Sequence, residues 1–242
     1  MKEIIFYDSG IGGISLLNKT RAICKKEHFV YCADNANMPY GTRGEKEVSK
    51  LVISNLEKQI KTTTKAVVIA CNTITNLAIK DIRNAFPETK IFGIEPEIKG
   101  VSNGKMGSAL LIATPKTCEV VRNKISPQTA EKITIHPAYN LAKIIEREIA
   151  NKEEIYREIT KIKRSHPKKF QAVILGCTHY ALCKDVFTYA FSENVKILDG
   201  INGTARNVAR NIVKEKTGFG SLRLVLSKDD MCEKLKYASL IN

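Results

Sequence analysis

Lys65–Thr73 reads KAVVIACNT and Gln171–His179 reads QAVILGCTH. In each, an apolar run ends in a small residue, Ala70 or Gly176, followed by a cysteine among small polar groups. An unbroken Val/Ile/Leu run of this length between polar flanks fits a strand buried on both faces of a parallel sheet. Ligands of open α/β sheets bind beyond the carboxyl ends of such strands, which is where Cys71 and Cys177 fall. The two stretches predict two similar units whose thiols hold equivalent positions and face one small site from opposite sides.

The pattern extends in both directions. Glu3–Tyr7 predicts a strand that runs into Asp8-Ser9-Gly10-Ile11-Gly12-Gly13 and then a helical pattern through Leu16, Leu17 and Ile23, the opening of a βαβ unit. Glycines there let the backbone approach a ligand, and the helix N-terminus favours a carboxylate; a tight turn requiring positive φ is the plainer reading. A strand at Phe29–Cys32 leads into a polar loop, Ala33–Arg43, expected to be irregular and at the surface, and a candidate binding loop. A helix from Glu45 to about Lys61 follows, then the first cysteine strand, a helix through Leu77, Ile79 and Ile82, and a strand at Ile91–Ile94.

After Lys105-Met106-Gly107 the pattern restarts with a strand at Ala109–Ala113 and a polar turn, Thr114–Thr117, into a helix. Lys132–Ile135 reads as a strand and Leu141–Ile162 as one long amphipathic helix, with Glu146, Arg147, Glu148, Lys152, Glu153 and Glu154 on its solvated face. Beyond Cys177 come a helix through Leu182 and Val186, a strand at Val195–Leu198, a helix at Thr204–Lys216, a strand at Leu222–Leu226 and a final helix, Lys228–Leu240. The expectation is α/β, with two similar doubly wound parallel-sheet domains: 1–96 together with about 205–242, and 97–204.

Composition narrows the class. The chain has 242 residues, 43% hydrophobic and 26% charged, as in an ordinary globular protein. No apolar run is long enough to span a bilayer, and Ile4–Tyr7 is too short for a signal-peptide core, so no membrane partner and a cytoplasmic location are expected. Seven cysteines without a CxxC pair argue for free thiols, and His28, His136, His166 and His179 make no zinc spacing with them, so no metal is expected. The net charge of +14 is spread along helices without aromatic interleaving, which argues against nucleic acid as a partner. A homodimer is compatible with the sequence, which does not fix the oligomeric state.

Thiols suit proton transfer to and from carbon near neutral pH, since their reference pKa is about 8.5. With two on opposite faces of one carbon, a thiolate removes the proton and a thiol returns one on the far side, inverting the centre. Asp8, at the end of the first strand, and His179, two residues beyond Cys177, are placed to take or orient those protons. Ser9, Tyr40, Gly41, Asn72, Thr73 and Thr178 remain to hold ammonium and carboxylate groups. Buried cysteine usually only fills space, and Cys24, Cys32, Cys118, Cys183 and Cys232 keep that reading. His28 and His136 read as surface or turn residues.

At these residues the chain resembles the glutamate racemase branch of the aspartate/glutamate racemase family. The matching motifs are Asp8–Gly13, Ala33-Asp34 with Pro39-Tyr40-Gly41, Ala70–Thr73, and Leu175–Tyr180; the Cys-Thr-His-Tyr element is the most specific. The resemblance implies two α/β domains with the active site in the cleft between them, no cofactor, and glutamate as substrate, with D-glutamate supplied to peptidoglycan. It makes Cys71 and Cys177 the catalytic acid/bases, with Asp8 and His179 assisting. Ser9, Tyr40, Gly41, Asn72, Thr73 and Thr178, with Asp8 and His179, become substrate contacts. The chain departs from the family at His136–Lys143 and at Glu97, and Glu146 corresponds to the family's assisting glutamate only with a shift in alignment. A racemase of aspartate or another amino acid, or a non-catalytic binder on the same fold, are the competing readings.

Overall fold

The first strand, β1 (Glu3–Asp8), buries Ile4, Ile5, Phe6 and Tyr7 in succession, as a strand covered on both faces must. A computed structural model describes residues 2–104, 106–215 and 217–241. After β1 come α1 (Ile14–Ile23), β2 (His28–Ala33), α2 (Glu45–Glu57), β3 (Thr64–Ile69), α3 (Asn72–Ala85) and β4 (Ile91–Gly93). The next stretch holds α4 (Lys99–Ser102), β5 (Ala109–Ala113), α5 (Pro115–Lys124), α6 (Pro127–Ala130), β6 (Ile133–Pro137), α7 (Leu141–Glu148), α8 (Lys152–Arg164), β7 (Ala172–Gly176), α9 (Thr178–Leu182), α10 (Lys184–Phe191) and β8 (Lys196–Asp199). The chain closes with α11 (Ile201–Asn211), β9 (Ser221–Leu226) and α12 (Met231–Leu240).

Two compact units result, one of residues 1–95 with 201–242 and the other of 96–200. The first contains a five-stranded sheet, β4-β3-β1-β2-β9, and the second a four-stranded sheet, β6-β5-β7-β8. Every strand pair is parallel. The strand that carries Asp8 lies beside the one that leads to Cys71, with Tyr7 opposite Ile69. In the second unit β5 stands to β7 as β1 stands to β3, with Ala113 opposite Gly176. β9 returns to the first unit and pairs with β2 from Ser221 to Leu226.

Packing explains the placement. Val67, Val68 and Ile69 of β3, and Val173 and Ile174 of β7, are fully buried; each such side chain stabilises its unit by roughly 1.5–3 kcal/mol. Close approach requires glycine at Gly13 and at Gly176. A Cβ on Gly13 would stand 2.7 Å from the Ala70 Cβ and 2.9 Å from the Tyr31 hydroxyl, and one on Gly176 would stand 2.6 Å from the Ala113 Cβ. Gly13 has φ −68°, so the turn after β1 uses glycine for space and not for a left-handed backbone.

Several boundaries differ from the sequence reading. The pattern over Leu141–Ile162 is two helices: the turn at 149–151 separates α7 from α8, and Asn151 Oδ1 caps α8 by accepting from Glu153 N at 3.3 Å. The helix after Cys177 is likewise two, α9 and α10, which meet at Cys183. α2 stops at Glu57, α11 runs from Ile201 to Asn211, and α12 begins at Met231 because Asp230 caps it, accepting from Glu233 N at 2.9 Å. Lys216, expected at a helix end, and Lys105, expected in a turn, lie outside the described residues.

The loop after β2 is irregular but not superficial, since Asp34 and Tyr40 are each only 1% exposed. His28 opens β2, and His136 lies in β6 with its Nδ1 2.9 Å from His166 Nε2, so neither is a turn residue. Cys232 is exposed and fills no core; the other six cysteines are buried.

Candidate active site

In the first unit, β1 and β3 deliver their polar groups side by side. Asp8 is fully buried, and its Oδ1 accepts from the backbone N–H of Gly10 at 2.8 Å. Ser9 Oγ donates to that same Oδ1 at 3.5 Å and lies 3.9 Å from the Cys71 sulfur. Asp8, Ser9 and Cys71 therefore form one hydrogen-bonded run across the ends of two adjacent strands. Cys71 is the N-cap of α3, in extended backbone (φ −116°, ψ 124°), with Asn72 and Thr73 buried in the helix's first turn. Asn72 Nδ2 donates to Ile94 O at 3.4 Å.

A buried network holds the loop that follows β2. The Tyr40 hydroxyl donates to Asp34 Oδ2, and Asn37 Nδ2 reaches Asp34 Oδ1 and Oδ2 at 2.9 and 3.1 Å. Asp34 N donates to Asp8 O at 3.0 Å, which ties the loop to the end of β1. Asn55 Nδ2 donates to the Tyr7 hydroxyl at 2.9 Å, and Tyr7 in turn hydrogen-bonds Tyr40. Burial, the largest cause for each, pushes both phenols above their usual range, and the negative charge of Asp34 adds to it, so both stay neutral. Gly41 is buried next to this network.

The second unit repeats the arrangement with different chemistry. Cys177 is the N-cap of α9, again in extended backbone (φ −146°, ψ 137°), and is as exposed as Cys71, each at 6%. Its sulfur lies 3.9 Å from His179 Nδ1, and His179 Nε2 lies 2.8 Å from Glu146 Oε2. Burial by itself would lower the His179 pKa; hydrogen bonds to Cys177 and Glu146 outweigh it and hold the imidazole well above its usual value. Thr178 is buried in the first turn of α9.

Asp8, Ser9 and Cys71 are thus brought together in the first unit, with Asn72, Thr73, Tyr40 and Gly41 on the elements around them. Cys177, Thr178 and His179 are brought together in the second. Glu146 is a correction: the sequence reading put it on a solvated face, but it is 9% exposed and packed against His179. Leu141, Ala142, Ile145 and Glu146 are all buried; their i, i+1, i+4, i+5 spacing makes one helix face, a signal that a single long helix obscures. Asp34 was quoted in a matching motif but given no role; the structure makes it the buried acceptor for Tyr40 and Asn37. Among the described residues no cluster of three or more His, Cys, Asp or Glu side chains could hold a metal ion, and no helix is long and apolar enough to cross a membrane.

The fold of two parallel sheets matches what comparison with known proteins finds. Residues 12–208 match the model of the Asp/Glu/Hydantoin racemase family, and the chain belongs to that family. More particularly, it is 36% identical over 218 residues to a glutamate racemase of Clostridium novyi, covering 88% of this chain and 84% of the relative. A glutamate racemase of Clostridium kluyveri is also 36% identical, over 233 residues, covering 92% of this chain and 91% of the relative. Among solved structures, the glutamate racemase of Francisella tularensis in complex with D-glutamate superposes with TM-score 0.82 at 23% identity, covering 99% of this chain and 93% of that one. At these identities the solved structures speak for the fold.

Proposed function

We propose that this chain is a glutamate racemase that interconverts L- and D-glutamate without a cofactor, using Cys71 and Cys177 as a two-base pair. The observation that carries the reading is the equivalence of the two thiols: each stands at the N-cap of a helix just past a parallel strand whose last four residues are buried, and each touches a polar partner able to manage a proton. One cysteine, as thiolate, takes the α-proton and becomes a thiol. The other, as thiol, gives its proton to the opposite face of the planar carbanion and becomes a thiolate. The net change is inversion at carbon, with one proton taken and one returned.

The partners of the two cysteines differ, and so do their roles. Ser9 and Asp8 stand by Cys71; a proton released there has a hydroxyl and a carboxylate within reach. His179 stands by Cys177, with Glu146 behind it to stabilise the imidazolium. Asn72, Thr73, Thr178, Tyr40 and Gly41 hold the substrate's ammonium and carboxylate groups. The reading places the enzyme in the cytoplasm, supplying D-glutamate for peptidoglycan.

The direct test is to incubate the protein with enantiopure L-glutamate in D2O with nothing else added. Circular dichroism follows optical activity, and NMR follows loss of the α-proton. Decay of both signals is the expected result. If neither changes, L-aspartate is tried next, and silence with both substrates refutes the racemase reading in favour of a binder on the same fold.

A further inference from the structure

A second concave site lies wholly within the second unit, where α8 and α10 end and β7 begins. It encloses roughly 720 Å³, within the range of small-molecule sites. Four cations line it, Lys163, Arg164, Lys168 and Lys169, and no carboxylate does. Phe191 is buried, and Phe170 and Val195 are half-buried, so apolar surface lies beneath exposed charge.

Two ordinary explanations for these cations fall short. Helix C-termini favour cations, and two helices end here, but each contributes only about half a negative charge. Lys163 is accounted for in this way, since its Nζ donates to Ala190 O at 2.7 Å, and Ser165 takes Ile162 O at 2.8 Å and Lys161 O at 3.0 Å, which leaves Arg164, Lys168 and Lys169 unexplained. Surface ion pairing is the second explanation. Lysines and arginines elsewhere on the same helices do pair, as Arg157 does with Glu153 and Lys161 with Glu158 at 3.1 Å. Arg164, Lys168 and Lys169 have neither an ion pair nor a hydrogen bond among the described residues. Four positive charges against about one negative leave a strong surplus in a concave, partly apolar setting, where field lines concentrate. Thr160 also lines the cavity.

We propose that this cavity, lined by Lys163, Arg164, Lys168 and Lys169 around Phe170 and Phe191, binds a small molecule carrying a phosphate or diphosphate group on a ring-bearing, apolar body. Guanidinium and ammonium groups meet the phosphate oxygens, Arg164 with its two-pronged donor geometry. The ring takes the apolar surface of Phe170, Phe191 and Pro167. A concave pocket of this volume fits a mononucleotide-sized ligand better than a nucleic-acid backbone, which calls for an extended stripe of charge. The site lies at the opposite end of β7 from Cys177, about 16 Å away by the rise of a five-residue strand. It stands apart from the racemase reading.

Binding is measured by isothermal titration calorimetry with adenosine diphosphate, inorganic pyrophosphate and adenosine, on the full chain and on Lys168→Glu/Lys169→Glu. Both lysines are exposed, and circular dichroism together with racemisation of glutamate checks that the variant is intact. Adenosine diphosphate is expected to bind tighter than pyrophosphate, adenosine not to bind, and the variant to lose about tenfold or more in affinity. No binding of either phosphate compound by the wild type, or equal binding by the variant, overturns the proposal. So does a 20-base-pair DNA duplex that outcompetes adenosine diphosphate and loses affinity steeply with salt, since that assigns the cations to nucleic acid.

Discussion

His179 Nε2 lies 2.8 Å from Glu146 Oε2 while His179 Nδ1 lies 3.9 Å from the sulfur of Cys177, so one buried imidazole joins a carboxylate to a thiol. The carboxylate sets the orientation of the ring and favours its protonated form, and the ring presents its other nitrogen to the cysteine. Beside Cys71 stands a hydroxyl, Ser9 Oγ, which itself donates to the carboxylate of Asp8. The two cysteines share an N-cap position and an extended backbone and differ in the polar groups beside them.

Glu146→Gln should lower kcat by about 10- to 100-fold, with KM for glutamate little altered, because the residue acts through His179. Its effect on stability depends on pH with a definite sign. The folded-state pKa of His179 is raised above the unfolded value. The stabilisation from the charged pair is therefore complete below about pH 6.5 and fades as pH climbs through the raised value. Urea unfolding should show a gap of about 3 kcal/mol between wild type and variant at pH 6, narrowing at pH 9. A gap that widens with pH would contradict the charged pair.

Cys71→Ala and Cys177→Ala should each abolish racemisation, a fall of at least about 100-fold, with the far-UV circular dichroism spectrum unchanged. Full activity in either single variant refutes the two-base assignment.

Tyr40→Phe removes the donor to Asp34 and the partner of Tyr7. Asp34 keeps Asn37 at 2.9 and 3.1 Å, so the loss is partial. The expected outcome is about 1–3 kcal/mol of destabilisation in chemical unfolding. A raised KM for glutamate should accompany it, as the loop that carries Gly41 loosens.

Gly176→Ala should destabilise by about 1–3 kcal/mol, read as a lower Tm, since the added methyl would stand 2.6 Å from the Ala113 Cβ and 3.0 Å from Leu111 Cδ1. Because Gly176 immediately precedes Cys177, kcat should fall as well. An unchanged Tm would mean that β5 and β7 can separate without loss.

Reaction of the native protein with iodoacetamide at pH 8 should label the exposed Cys232 readily. Burial pushes the Cys32 and Cys183 thiols up to about 12 and Cys118 up to about 11. These three should remain unlabelled, which mass spectrometry of tryptic fragments checks. Rapid labelling of any of them would show that its unit opens on the timescale of the reaction.

The two cysteine strands were legible because they are buried on both faces, and only continuous apolar runs satisfy that environment. KAVVIACNT and QAVILGCTH therefore announce the parallel α/β class, the duplication and the placing of each thiol just beyond a strand. Asp8 beside the Cys71 strand was also within reach, since doubly wound sheets place their first strand centrally. The residues that escaped were those whose meaning depends on contacts distant along the chain. Glu146 looks solvated when Leu141–Ile162 is taken as one helix. Only the break at 149–151, and the packing of α7 beside α9, turn its carboxylate to His179, 33 residues away. Asp34 and Tyr40 sit in a segment rich in Asn, Pro and Gly, which signals an exposed loop; a network with Tyr7 and Asn55 buries them instead. Periodicity, which is local, thus determined the strands and the positions of the thiols. The polar partners of the thiols were decided by tertiary packing, because a buried polar group must find its hydrogen bonds wherever the fold supplies them.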